Sequence, residues 1–505
     1  MARERTWDLA VVGGGTAGLV GARTAAALGA RVLLAERDRP GGDCLWTGCV
    51  PSKALLAAAA RAAEARTASR LGVTVGDVRV DLGAVMAHVE GAVATIEPED
   101  SREALEAAGV TVVRGTARLT GPRTLDLDGR TTAFRAALLA TGGRPVLPPV
   151  PGLREAGPLT SETVWDLHVL PHRLVVLGGG GTGCELGQAF ARLGAQVTLV
   201  EALPRVLPGE DPDASALVAA ALETDGVRLL TGTRVTAVSG EPGGPADVTV
   251  EGPGGRRTLG CDRLLVSVGR RPDTAALDPA AAGVDLDDRG YVRVDGALRT
   301  TNPRVWAAGD LTAVSHWTHT AGVHGATAAA NAVLGLRRRV DPTAVPRVTF
   351  TDPEVAAVGA RTWADGEPAP RTVTRPAGRV DRAVAEGRTD GFARLALGPR
   401  SRVVGATVVG PRAGEVLAEL TLAVRTGLRT ADLAATTHPY PTHADGPWNA
   451  ALDDVRTRLA RARPATSALV RLRRLLDRGR RSDDFRPSGG SEEVTTAHRA
   501  ARRTP

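Results

Sequence analysis

Near the start of the chain the hydrophobic pattern changes period twice. Asp8 to Val12 is a short apolar run that reads as a buried strand. Gly13-Gly14-Gly15-Thr16-Ala17-Gly18 interrupts it, an Ala-rich helical stretch follows to about Ala30, and a second apolar run from Arg31 to Ala35 ends on Glu36. Strand, glycine loop, helix, strand and acid in that order form a βαβ dinucleotide unit. The glycines make the turn and let a pyrophosphate approach the backbone, the helix N-terminus favours its charge, and the acid accepts from ribose hydroxyls. The pattern recurs with Leu174 to Leu177, the loop Gly178-Gly179-Gly180-Gly181-Thr182-Gly183, a helix predicted from Cys184 to Leu193, and a strand Gln196 to Val200 ending at Glu201. Two dinucleotides are implied, one on Gly13, Gly15, Gly18 and Glu36, the other on Gly178, Gly180, Gly183 and Glu201. Ala140-Thr141-Gly142-Gly143 and Val268-Gly269-Arg270-Arg271-Pro272 close strands at comparable distances after each loop, which adds Thr141, Gly142, Gly269 and Arg270 as cofactor-binding candidates.

From Thr349 the pattern shifts to strands at Ala393–Leu397 and Val403–Val409 around a helix from Glu415 to Thr426, an α+β arrangement. The expected fold class is therefore α/β, with two Rossmann-like dinucleotide-binding domains and a C-terminal α+β domain. The 505 residues suit about three or four domains. We place them at 1–155 (first dinucleotide unit), 156–275 (second unit), 276–345 (a central segment returning to the first), 346–452 (the α+β domain) and 453–505 (a basic tail expected to be disordered).

Composition changes the picture in three places. Aromatics are only 3% of the chain, which disfavours base stacking and makes a nucleic-acid partner a poor expectation. The net charge of +7 resides entirely in residues 451–505, with 14 arginines against seven acids, while 1–450 balances 49 against 49. Within that tail Ser467 to Leu476 can form a basic amphipathic helix making weak contact with a membrane surface or a partner, or can be a solvated tail. The N-terminus runs straight into a strand with no room for a signal peptide, and no run of 18 apolar residues follows, so a cytoplasmic protein is expected. In a reducing compartment a close cysteine pair is more often catalytic or metal-binding than a structural staple.

Such a pair lies in Gly41-Gly42-Asp43-Cys44-Leu45-Trp46-Thr47-Gly48-Cys49-Val50-Pro51-Ser52-Lys53. Two cysteines five apart at the start of a helix can close a disulfide, with the helix dipole stabilising a thiolate when it opens. Lys53 is the only lysine among 63 basic residues, so it does something a guanidinium cannot. Here the chain resembles the class I pyridine nucleotide–disulfide oxidoreductases, the group of glutathione reductase, dihydrolipoamide dehydrogenase and mercuric reductase, over about residues 5 to 450. Thr301 to Asp310 is similar to that family's second flavin motif, and Phe350 to Gly359 to the opening of its dimerisation domain. The resemblance implies FAD on the first unit, with Gly42, Gly309 and Asp310 added to its site, and a homodimer. Nicotinamide on the second unit passes hydride to flavin N5, and the flavin opens a Cys44–Cys49 disulfide through Cys49, leaving Cys44 to meet a substrate. Lys53 corresponds to the lysine beside the flavin and Glu185 to its salt-bridge partner. Glu201, accepting from ribose hydroxyls, repels a 2′-phosphate and favours NAD(H) over NADP(H). Arg205 is a possible phosphate ligand or a solvated loop residue.

The pattern departs from the disulfide-handling relatives at Thr437-His438-Pro439-Tyr440-Pro441-Thr442-His443-Ala444-Asp445. Their catalytic His is replaced by Tyr440 and their Glu by Asp445. A phenol titrates near 10 and shuttles protons poorly at neutral pH. His438 or His443 either takes over that work or only caps and packs the segment. A Tyr here is similar to the mercuric reductase branch, but no cysteine follows Cys261. Cys184 on its helix and Cys261, expected to open a strand Asp262–Val268, read as small core residues. The expectation is an enzyme passing electrons from NAD(P)H through FAD to a quinone, metal ion or disulfide, with no resident metal. A dihydrolipoamide dehydrogenase is the alternative within the family, and a flavin-binding redox sensor docking through its tail is the alternative outside it.

Overall fold

The computed structural model describes residues 6–361 and 370–479. The chain divides into two units, 1–452 and 453–505. In the first unit, strand Trp7–Val12 pairs in parallel with Val32–Glu36 on one side and Arg130–Leu139 on the other, setting Leu9 opposite both Val32 and Ala136. Strand Val305–Ala307 joins the far side of Arg130–Leu139, again in parallel. A segment remote in sequence thus returns to the first sheet, and Asp310, just beyond it, comes to the carboxyl ends of the parallel strands where such sheets bind ligands.

The second unit-like repeat within 1–452 is a four-stranded parallel sheet of Arg228–Leu230, Gln196–Val200, Arg173–Leu177 and Arg263–Val266. Beside it lie the antiparallel strands Arg234–Gly240, Ala246–Gly252 and Gly255–Cys261. Arg270–Pro272 pairs with Gly143–Pro145. The α+β region is a five-stranded antiparallel sheet in the order Arg347–Thr349, Glu354–Gly359, Val403–Gly410, Phe392–Leu397, Arg371–Pro376, covered by helix Ala413–Thr426. The cores are Ala, Val and Leu, with Phe134 and Phe190 the largest fully buried side chains.

Two features of this packing position the site. Helix Thr318–Leu334 crosses the first loop's helix, Thr16–Ala27, at backbone contact: a Cβ on Gly325 would collide with the Ala17 carbonyl. Helix Gly181–Leu193 grips the start of the α+β region. Gln188 exchanges two 2.8 Å hydrogen bonds with the Asp352 backbone, and Arg192 pairs with Asp225 and Asp352 at 2.8 and 3.0 Å.

Some details differ from the sequence reading. The second loop's helix begins at Gly181 rather than Cys184, because first-turn N–H groups need no intrahelical partner and glycine is tolerated there. Cys261 closes strand Gly255–Cys261 instead of opening the next one. The tail expected to be disordered is helical over Arg463–Gly479, where apolar and basic residues alternate with helical period; residues 480–505 lie outside the described residues. Among the described residues no helix is long and apolar enough to cross a membrane.

Candidate active site

The two glycine loops are built alike. In the first, a Cβ on Gly13 would lie 2.5 Å from the Ala140 carbonyl and one on Gly18 would strike the Gly13 carbonyl, so neither position tolerates a side chain. Gly14 N–H donates to Glu36 Oε2 at 2.6 Å and Asp38 N–H to Oε1 at 2.9 Å. In the second, Gly178 and Gly183 meet the Ser267 and Gly178 carbonyls in the same way, and Glu201 takes Gly179 N–H and Leu203 N–H, both at 2.7 Å. By contrast, a Cβ on Gly180 would meet nothing, and one on Gly15 only the Gly42 Cα at 3.9 Å. The backbone there is open for a pyrophosphate, and each carboxylate, fixed by two backbone donors, keeps lone pairs for ribose hydroxyls. These residues fit dinucleotides.

A groove of about 490 Å³ opens on the first loop, lined by Gly13 to Thr16, Glu36, Gly42, Cys44, Thr141, Gly142, Gly309 and Asp310. The structure thus brings the candidates of the first unit and Asp310 to one place. Gly269 and Arg270, assigned from the second unit, directly follow Ser267 and Val268, which pack on its loop. They line a neighbouring cavity of about 650 Å³ with Asp310. Arg270 bonds Asp43 and the Gly143 carbonyl and lies 3.5 Å from Asp310 Oδ2. The strand pair Arg270–Pro272 with Gly143–Pro145 carries Arg270 over to the first unit.

Cys44 lies on the short helix Gly42–Trp46, and Cys49 begins helix Cys49–Thr67. Both are half-buried free thiols. Cys49 Sγ is 3.2 Å from the Thr318 hydroxyl, delivered by the glycine-mediated helix crossing. The Cys49 thiol is lowered to about 6: a hydrogen bond from Cys44, a second from Thr318 and the charge of Lys53 outweigh burial. Cys44 is pushed up by that same hydrogen bond, by burial and by the Cys49 charge. One proton therefore serves the pair and resides on Cys44.

One helical turn past Cys49, Lys53 Nζ donates to Glu185 Oε2 at 2.9 Å. Glu185 is held in turn by Phe350 N–H at 2.9 Å on its other oxygen, and the Phe350 ring lies 4.1 Å under the ammonium. The α+β region therefore completes the lysine's environment through the grip of helix Gly181–Leu193. Sequence reasoning missed Thr318 and Phe350. A helix opening with Thr and a Phe beside the Thr351-Asp352-Pro353 turn carry no local signal, because their partners are remote in sequence.

The C-terminal candidates are placed differently. Tyr440 is exposed, and its hydroxyl donates to Asp381 Oδ2 at 2.6 Å, which raises the phenol further above neutral. Asp445 is buried; Oδ2 accepts Thr442 N–H at 3.1 Å, and Oδ1 has no hydrogen-bond partner. It makes no contact with Tyr440 of the kind an imidazole-orienting acid would make. His438 Nε2 meets Glu419 and His443 Nε2 meets Glu386, each at 3.0 Å. Arg205 donates to the Pro208 and Glu210 carbonyls at 2.9 Å and braces its own loop. Cys184 and Cys261 are buried and bond the Gly179 and Ala246 carbonyls; burial pushes both thiols up, Cys261 to about 11. Among the described residues no His, Cys, Asp and Glu cluster could hold a metal ion.

Comparison with known proteins gives these features a common context. Residues 7–332 match the pyridine nucleotide-disulphide oxidoreductase family, and 345–451 match its dimerisation domain. A mercuric reductase of Streptomyces lividans is 37% identical over 448 residues, covering 87% of this chain and 94% of its own. A dihydrolipoyl dehydrogenase of Thermus scotoductus is 36% identical over 459 residues, covering 88% and 97%. The crystal structure of LpdA from Mycobacterium tuberculosis superposes with a TM-score of 0.80 at 30% identity, over 88% of this chain and 99% of that one. The chain belongs to the class I pyridine nucleotide-disulphide oxidoreductases, FAD-dependent oxidoreductases that use NAD(P)H.

Proposed function

We propose that the chain is a homodimeric oxidoreductase that draws electrons from NADH in preference to NADPH. It delivers them through Cys44 and Cys49 to an acceptor needing no proton shuttle, a quinone or a soft metal ion. The observation that carries this reading is the contrast between a thiol lowered to about 6 at Cys49 and a phenol tied to Asp381 at Tyr440. FAD, held by the first glycine loop, Glu36 and Asp310, supplies a two-electron carrier between nicotinamide and the cysteine pair. Glu201, its oxygens fixed by two backbone N–H groups, disfavours a 2′-phosphate on the second loop.

At neutral pH the reduced pair holds Cys49 as thiolate and Cys44 as thiol. Oxidation forms the S–S bond and releases two electrons and the single Cys44 proton. Lys53 neutralises charge next to the thiolate, while Glu185 and Phe350 hold its ammonium in place. Thiolates also suit soft metal ions. A dithiol substrate needs more: a general base to take its protons, a benefit of ~10²–10⁴-fold that a phenol supplies poorly. Tyr440 lies within residues 345–451, the match to the dimerisation domain, which supports the homodimer and an approach to Cys44 from the partner subunit.

The His443–Glu386 pair favours a second reading, dihydrolipoamide dehydrogenase, since an imidazole oriented by a carboxylate is what a general base requires, whereas His438 has its two ring nitrogens against Glu419 and the Thr436 carbonyl. Steady-state NADH oxidation against a panel of quinones, soft metal ions, dihydrolipoamide and glutathione disulfide separates the two. Weak turnover of dihydrolipoamide and glutathione disulfide beside faster quinone or metal reduction is expected. Dihydrolipoamide turnover as fast as the best quinone establishes the second reading instead.

A further inference from the structure

Helix Arg463–Gly479 lies outside both matched family regions, which end at residue 451, and none of the residues built into the active site falls on it. With an advance of about 100° per residue, Ala465, Ala468, Leu469, Leu472, Leu475 and Leu476 share one arc of about 120°. The four leucines on that arc are 53–64% exposed. Arg471 borders the arc on one side and Arg473 on the other, with Arg474 behind. Among the residues whose side chains are described, no carboxylate pairs with any of the three.

We propose that this helix is a docking element for an anionic lipid surface, lying in the interface with its leucines among the acyl chains and its arginines at the headgroups. Three properties favour this occupant over others. The bordering arginines can extend their guanidinium groups outward from the apolar edge, as cations at a membrane interface do. The charge is complementary to anionic headgroups: the helix itself carries five arginines against one acid, and residues 451–505 carry 14 arginines against seven acids, whereas 1–450 is neutral. A second copy of the helix is a poor occupant, because pairing along the leucines brings Arg471 and Arg473, which border the stripe, towards like charge. Isolated helices of this length are marginal in water, and an interface that takes up the apolar face stabilises one.

The test uses the full-length, FAD-loaded protein and reads mass bound to vesicles, so its outcome is independent of the electron acceptor. Co-sedimentation should be ~10-fold greater with vesicles containing about one-third phosphatidylglycerol than with pure phosphatidylcholine, and should fall at high salt. Leu472→Asp should abolish it. Arg471→Gln with Arg473→Gln, which spares the apolar stripe and any helical fold, should remove the preference for phosphatidylglycerol. Both variants should oxidise NADH as the parent does. Equal binding to the two vesicle types, no binding, or indifference to both variants overturns the proposal. A concentration-dependent rise in mass without vesicles that Leu472→Asp abolishes makes a second copy the occupant, and capture of an acidic protein in preference to vesicles makes it a protein partner; either overturns it too.

Discussion

After Glu36 the chain turns through Gly41 and Gly42 into two helices, the first carrying Cys44 to the groove of the first glycine loop and the second carrying Cys49 and Lys53. After Glu201 an equivalent strand end leads only into a loop that Arg205 ties to its own carbonyls, and then into helix Pro212–Thr224, capped by Asp211. The two units grip their loops and acids with nearly the same hydrogen bonds, so the dinucleotide hold belongs to the repeated unit. The redox chemistry belongs to the short segment that only the first unit has. Thiol placement makes the same point. Cys49, at a helix start beside a hydroxyl and a cation, is lowered to about 6, whereas Cys184, inside the second unit's helix and fully buried, is pushed up.

The largest expected effect comes from removing the feature that separates the units. In FAD-loaded protein, Cys49→Ser should eliminate the long-wavelength charge-transfer absorbance that appears on reduction and reduce cysteine-dependent turnover to background. Cys44→Ser should show that absorbance without reductant. Cys184→Ser should leave both unchanged; a comparable loss there would break the distinction between the two thiols.

The shared grip can be broken one unit at a time. Gly18→Ala places a methyl on the Gly13 carbonyl and should yield protein that purifies colourless. Gly183→Ala, its counterpart against the Gly178 carbonyl, should remain yellow while losing reduction by NADH. Each methyl demands a local backbone shift of the kind that costs about 1–3 kcal/mol or more in a packed site. Loss of flavin from both variants would show that the units do not act separately. The acid of the second unit has a graded effect. NADH should exceed NADPH in kcat/KM, with Glu201 contributing about 1–3 kcal/mol, and Glu201→Ala should narrow the ratio by roughly 5–150-fold. An unchanged ratio would remove Glu201 from cofactor selection.

Smaller effects probe the cysteine segment and its partner residues. Tyr440→His should raise dihydrolipoamide turnover by about 10-fold, well short of a complete general base, because Asp445 makes no hydrogen bond to residue 440 and is one methylene shorter than Glu. The charge-transfer absorbance should be full well above pH 6, half lost near pH 6 and down to about one-tenth at pH 5, since a lowered thiol is a thiolate above its pKa and protonates as pH falls through it. Replacing Thr318 by Val should move that midpoint upward, because one hydrogen bond to the thiolate is lost.

Both glycine loops, their terminal acids, the cysteine segment and the significance of the single lysine were legible in the sequence. Each depends on residues adjacent in the chain, where backbone geometry and hydrophobic period act locally. The sequence also placed the α+β region by its change of pattern. Helix starts were less well placed, since glycines in a first turn cost little and leave no propensity signal. Contacts across the chain were decided only by tertiary packing. The strand Val305–Ala307 brings Asp310 to the first loop, the contact of Gly325 with Ala17 sets Thr318 against Cys49, and the grip on Asp352 lays Phe350 under Lys53. Arg270 shows the converse, for its sequence position suggests the second unit while strand pairing carries it to the first. Local sequence determines which groups exist and how each short segment turns. Which remote group lowers a thiol or fixes an ammonium depends on how sheets and helices close over one another, and that is a property of the whole packed chain.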